Sequence, residues 1–188
     1  MTLHCHGMLE YPQRMSTFRS PIKTVCVLAL GLGAIAVSGT ARADDMTIKE
    51  PGHHPMYRWE IEPHAIIQPF EGPGTAQAGG GVGARATIVL VDNGFVRSIN
   101  NSVGLGFGGD LLFAPKAGLW VPVVMQWNFW LSRKWSVFGE PGVGVYFGHT
   151  GFGLPIFEAG GRVLLSDDLA LTLRVGYPQL TFGVSFLL

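Results

Sequence analysis

From Tyr57 to the last residue, large apolar side chains alternate with small or polar ones, and helical spacing is not sustained anywhere in that stretch. A period of two puts successive side chains on opposite faces of an extended strand. Eight segments carry the pattern: 57–68, 81–90, 102–113, 120–131, 135–147, 156–165, 169–177 and 180–188. Turn formers separate them, among them Gly72-Pro73-Gly74, Asp92-Asn93-Gly94, Pro115 to Gly118, Ser132-Arg133-Lys134, the run 148–155, Ser166-Asp167-Asp168 and Pro178-Gln179. The last two connections are short enough for hairpins. Segments of nine to thirteen residues have the length that a tilted strand needs to cross a bilayer, about 9–11 residues.

A half-buried soluble sheet alternates too, so the charges decide which face is wet. Once the large apolar residues set the parity of each segment, Arg58, Glu60, Glu62, Arg85, Asp110, Glu140, Glu158, Arg162 and Arg174 all fall on the other face, and every remaining charge after Tyr57 lies in a connection. His64 shares the charged face, as do Gly83, Gly104, Gly106, Gly108, Gly142, Gly144, Gly160, Gly176 and Gly183. Small residues suit a cramped interior, so the charged face is expected inside a narrow cylinder and the large apolar residues outside it. In lipid, such a closed barrel satisfies every strand edge. Pro63, Pro122 and Pro141 interrupt the strands, and bulges or earlier strand ends are expected there.

The N-terminal region carries an address. Arg19 and Lys23 precede the apolar run from Val25 to Val37, and Ala41-Arg42-Ala43 follows it. A basic flank, a short apolar core and small residues at a cleavage site form a secretory signal peptide. Residues 1–43 are therefore read as a cleaved signal, with Met15 a possible true start, and 44–56 as a flexible periplasmic lead-in. Both cysteines, Cys5 and Cys26, lie in the removed part, so the mature chain is expected to have no disulfide. It carries nine Lys and Arg against twelve Asp and Glu, a formal charge of −3, and no basic patch of the kind nucleic acid requires. Only 14% of the full chain is charged and its mean hydropathy is +0.30, against about 25% charged in soluble domains.

With the N-terminus delivered to the periplasm, Tyr57, Trp59, Trp127, Phe129, Trp135 and Phe186 fall at the periplasmic rim, and Phe113, Phe147, Phe157 and Tyr177 at the outer rim. Two aromatic girdles are the mark of interfacial anchoring. Taken with the signal peptide and the eight alternating segments, the closing run Tyr177 to Leu188 resembles the small eight-stranded outer-membrane β-barrels of Gram-negative bacteria. That resemblance implies an all-β, antiparallel up-and-down transmembrane barrel over 57–188, with membrane lipid as its surroundings and no cofactor. It also implies a C-terminal signal read by the barrel-assembly machinery. The matching residues are Leu180, Phe182, Val184, Phe186 and Leu188, although the family usually ends in Phe.

Other motifs carry little chemistry. Gly104, Gly106 and Gly109 spell G-x-G-x-x-G, but a dinucleotide site needs a helix directly afterwards and a strand continues here. His53, His54 and His64 lack the spacing of a metal site. His149-Thr150 lies in an outer loop, and Thr75 and Thr150 are the only hydroxyls in the long outer loops; with no serine nucleophile there, an enzyme is not expected. Asn100-Asn101-Ser102 is a glycosylation sequon that reads as a turn. The ionisable interior set is read as an ion-paired plug, since eight strands leave an interior that side chains can fill. A monomer with a structural or surface-interaction role is expected. A narrow channel for small or apolar solutes and a soluble lipocalin-like barrel are the alternatives.

Overall fold

In the computed structural model, residues 46–69, 79–113, 117–148, 151–177 and 179–188 are described. The signal-peptide reading, with Met15 and both cysteines, lies outside them, as do Glu71, Thr75, Lys116, His149 and Thr150. Eight antiparallel strands follow one another in chain order: β1 (Trp59–Gln68), β2 (Gly79–Val91), β3 (Asn101–Leu112), β4 (Gly118–Trp130), β5 (Trp135–Phe147), β6 (Phe152–Ser166), β7 (Leu169–Gly176) and β8 (Leu180–Leu187). Each pairs with its neighbour, and β8 pairs with β1 to close the barrel. Among the described residues no helix is long and apolar enough to cross a membrane. The end that holds the start of β1 and the chain terminus Leu188 is called the lower end below.

Strand limits agree with the alternation to within two residues except in β6. That strand starts at Phe152 because Phe152 to Pro155 stay paired with Tyr146 to Val143 of β5. Gly153 and Pro155 belong to a run that reads as a turn, yet they extend the strand, paired with Val145 and Val143.

The three prolines do not create bulges. Pro63 stays in register with Ala84, Pro122 with Gly144 and Pro141 with Phe157. Each interrupts only its second ladder. The β1–β8 pairing passes from Ile61↔Phe186 to His64↔Gly183, the β3–β4 pairing from Phe107↔Val123 to Asp110↔Trp120, and the β4–β5 pairing from Val124↔Gly142 to Trp127↔Gly139. A strand residue directs its N–H to one side only, so a missing donor opens one seam and spares the other. The register shifts lie elsewhere, between Val89 and Val91 and between Leu164 and Ser166.

Side chains fill the inside in layers. Toward the upper end Ile66, Leu112, Trp120, Val124, Tyr146 and Ile156 form a buried apolar cluster. Toward the lower end Trp130, Leu164, Ala170 and Leu187 form another, with Tyr57 packed against it. The large rings fit because glycine lies beside them. A Cβ on Gly144 would run into the Trp120 ring, and one on Gly160 would meet the Phe138 ring and approach the Leu173 carbonyl to 2.6 Å. One residue on, a Cβ at Gly161 would lie 3.8 Å from its nearest neighbour, the Ser136 carbonyl. Gly160→Val is therefore expected to destabilise the barrel by about 1–3 kcal/mol through overpacking, and Gly161→Val to change it little. Denaturant unfolding of the two variants in detergent micelles checks the contrast.

Candidate functional site: a buried ion network

The ionisable set read from the sequence is brought together, with one exception. Glu60, Glu62, His64, Arg85, Asp110, Glu140, Glu158, Arg162 and Arg174 are each no more than 6% exposed. Arg174 on β7 is the hub. Its Nη1 and Nη2 donate to the two carboxylate oxygens of Glu62 at 2.8 and 3.0 Å, and its Nε donates to Glu140 Oε2 at 2.6 Å. Glu140 Oε2 also accepts from Arg85 Nη1 at 2.9 Å, and the same Arg85 nitrogen donates to Glu158 Oε2 at 2.7 Å. Arg162 Nη2 donates to Glu60 Oε1 at 2.5 Å. Both cations lie over the Phe138 ring, Arg162 of β6 at 5.4 Å and Arg174 of β7 at 5.1 Å from its centre, within cation–π range.

Arg58 is the exception: it is exposed. Strict alternation would turn it inward, but the N–H groups of Arg58 and Trp59 both donate to the Leu188 carbonyl, at 2.7 and 2.9 Å. Two successive donors on one acceptor are a bulge-like irregularity that breaks the alternation. Tyr57, expected in the lower girdle, consequently turns toward the interior, where its hydroxyl accepts from Arg162 Nη1 at 3.4 Å. Burial pushes its phenol up to about 12. With Arg58 outside, three guanidinium groups face five carboxylates, where the residue pattern placed four against five. Neutral donors make up part of the deficit: Gln126 donates to Glu140 at 3.0 Å, Ser185 to Glu62 at 3.4 Å, and Gln179 to Asp110.

His64 pairs with Asp110 at 2.9 Å and, more loosely, with Glu62 at 3.7 Å. The second ring nitrogen faces the Glu62 carbonyl at 3.3 Å. Both side chains are fully enclosed, so neither nitrogen is left to take a proton from a nucleophile, as general-base work demands. His53 and His54 serve different contacts. His53 meets Glu50 and lies 3.4 Å from Arg133, and His54 stacks on Trp130. Among the described residues no group of three or more His, Cys, Asp and Glu could hold a metal.

On the outside, Trp59, Trp135, Phe186, Phe113, Phe147, Phe157 and Tyr177 are exposed. Trp127 and Phe129 are half-buried because they pack on one another, ring centres 4.9 Å apart. Phe157 pairs with Pro141 near the middle of β5 rather than at a strand end. Leu180, Phe182, Val184, Phe186 and Leu188 all take the outer face of the closing strand. Sequence reading passed over the aromatic residues of the inner face, Trp120, Trp130, Phe138 and Tyr146. Their parity was available: Phe138 and Tyr146 stand at even spacing from Glu140, and Trp120 and Trp130 from Gln126. It also missed Phe95, whose ring meets the edge of Trp127 at 5.7 Å. Asn100 and Asn101 of the sequon are wholly buried. Asn101 ties the β2–β3 connection through Val96 and Ile99 and accepts from the Trp127 indole.

Fold and interior together define a small closed barrel that encloses an ion-paired network and two apolar clusters and presents large apolar side chains on its outer wall. No family model and no curated protein matches the chain. Among solved structures, it is similar to the outer membrane protein Ail of Yersinia pestis. The backbone structure of Ail in a phospholipid bilayer nanodisc is 12% identical with a TM-score of 0.45, and the match covers 70% of this chain and 99% of Ail. The Ail crystal structure gives 12%, 0.46, 70% and 99%. Its complex with the heparin analogue sucrose octasulfate gives 12%, 0.40, 69% and 96%.

Removal of one member from a buried charge network strands its partners. Arg174→Met leaves Glu62 and Glu140 without their main counter-charge, and an unfolding midpoint lowered by the equivalent of about 3–5 kcal/mol is expected. Arg58→Met, on the exposed side of the chain entry, is expected to unfold as the parent does.

Proposed function

We propose that this chain is an outer-membrane β-barrel protein of a Gram-negative bacterium, with a filled, ion-paired interior and a structural or surface-interaction role rather than a catalytic one. The observation that carries this reading is the inverted distribution of polarity. Phe107, Leu111, Val123, Val143, Leu173, Val175 and Phe182 stand 41–54% exposed around the wall, while the nine ionisable side chains of the network are enclosed. In water each such half-exposed residue would forgo roughly half of the 1.5–3 kcal/mol that full burial gives; hydrocarbon removes that penalty. A soluble lipocalin-like barrel requires the reverse arrangement, apolar inside and charged outside.

Within this reading residues 1–43 are a signal peptide cut after Ala43, the lower end faces the periplasm, and the barrel is a monomer surrounded by lipid. The outward row Leu180, Phe182, Val184, Phe186 and Leu188 is what the assembly machinery would recognise. The channel alternative is disfavoured because apolar clusters lie toward both ends of the ion network.

Fractionation is expected to leave the mature chain in the outer membrane, soluble only with detergent and with heat-modifiable gel mobility, and planar bilayers containing it are expected to carry no steady current. Recovery from buffer alone rejects the membrane reading; a steady current rejects the filled interior. Val143→Arg adds a graded check. On a lipid-facing wall it is expected to cost about 2–4 kcal/mol near the bilayer midplane, measured by unfolding from vesicles, and a wall facing water would tolerate it.

A further inference from the structure

The segment from Met46 to Met56, expected to be a flexible tether, is fastened to the lower end of the barrel. Met46 bridges to Ser132, and the Thr47 N–H donates to the Leu131 carbonyl at 3.1 Å. Asn100, wholly buried, pins it from the β2–β3 connection: its backbone N–H donates to the Ile48 carbonyl at 2.7 Å, and its side-chain nitrogen to the His53 carbonyl at 2.8 Å. Gly52 makes the turn between them with φ 77°, a conformation that suits glycine. The His54 ring then lies flat on Trp130, centroids 5.5 Å apart and planes 9° from parallel, and its Nε2 is 2.9 Å from the Asp92 carbonyl.

Trp130 is itself an inner residue, fully buried in the lower apolar cluster. Register sets it beside Ser136, and Ser136 beside Arg162, in one row across β4, β5 and β6. In that row the Trp130 indole nitrogen, the Ser136 hydroxyl and Arg162 Nε are buried with no hydrogen-bond partner, as is Oε2 of Glu60, the carboxylate that Arg162 holds. Buried polar groups without partners are costly and call for an explanation. These lie directly behind the residue on which the segment rests. The segment itself is mostly exposed and held by a few polar contacts, the features of an element that opens locally while the rest of a fold stays intact.

We propose that Met46–Met56 is a lid on the lower mouth: when it lifts with His54, water reaches the Trp130–Ser136–Arg162 row and its unpartnered groups, while the apolar cluster at the upper end stays closed. The barrel then holds a polar recess accessible from one end only. This inference does not depend on the membrane reading, since it concerns one mouth of the closed barrel in any solvent that preserves the fold.

Cysteine accessibility tests it. Both native cysteines precede residue 44; with Cys5 and Cys26 replaced by serine, Ser136→Cys reports the recess and Val124→Cys the upper cluster. With a water-soluble methanethiosulfonate reagent on the refolded protein in micelles, Ser136→Cys is expected to react slowly. The rate should rise at least tenfold when His54→Ala is added or residues 46–54 are deleted, and Val124→Cys should stay inert in every background. An unchanged Ser136→Cys rate overturns the lid. A parallel rise at Val124→Cys also overturns it, because the segment would then hold the whole barrel together rather than cover one mouth.

Discussion

Arg174 is the interaction on which the interior depends. One guanidinium on β7 grips Glu62 of β1 and Glu140 of β5, each one strand beyond its neighbour, and also reaches Thr181 of β8 at 3.3 Å. Glu140 carries the connection to Arg85 of β2, and through it to Glu158 of β6, and to Gln126 of β4. Asp110 of β3 joins through His64 of β1. Every strand thus contributes a side chain to one lattice, much of it charge-assisted. Such bonds are stronger than neutral ones and fix geometry, but they do not make the interior cheap. Desolvation of five carboxylates and three guanidiniums offsets most of the Coulombic gain. What the lattice supplies is specificity. A strand shifted by one residue would move its charges to the outer wall and its Leu and Val residues into the lattice, so a wrong register has nowhere to put its charges.

The glycines and the large inner side chains are the two halves of one packing solution. An eight-stranded cylinder has room for side chains but not for one large group at every position. Gly144 beneath Trp120 and Gly160 beneath Phe138 yield space on one strand to a ring on the next. The same logic holds around the charges: a Cβ on Gly183 would crowd Glu62, and one on Gly176 would crowd Glu158. The glycine-rich strands therefore do not mark weak sheet. They are sockets for residues that the network and the two apolar clusters need, and this is why small residues share the face with ionised ones.

Much of the fold was legible because one rule, alternation, governs a closed barrel along its whole length. Charge parity located eight charged inner residues, among them Glu62, Arg85 and Arg174, with His64 on the same face, that a propensity argument would never have grouped. The rule failed where a local hydrogen bond overrode it. Arg58 and Tyr57 exchanged faces because two N–H groups share the Leu188 carbonyl, and nothing in the residues before Trp59 announces that acceptor, which lies at the far end of the chain. The prolines misled for a related reason. Their cost falls on a single ladder, and which ladder bears it depends on N–H direction, a property of register rather than of composition. The docked lead-in was illegible for a third reason. Its partners, Asn100, Leu131 and Trp130, are distant in sequence, and its own residues have no period to read.

The two apolar clusters of the interior are built differently. Among the described residues, the apolar cluster toward the upper end is built from strand residues, Trp120, Val124, Tyr146 and Ile156 among them, each held by the ladder that positions its backbone. At the lower end the apolar cluster is completed by Tyr57 and covered by His54, both from chain that precedes β1. Displacing those strand residues would require breaking strand pairing, which leaves backbone N–H and C=O groups without their partners. Opening the lower end requires only the release of a few contacts that water can replace. The two clusters are thus held by unequal means, one by strand pairing and the other in part by side chains from the segment before β1.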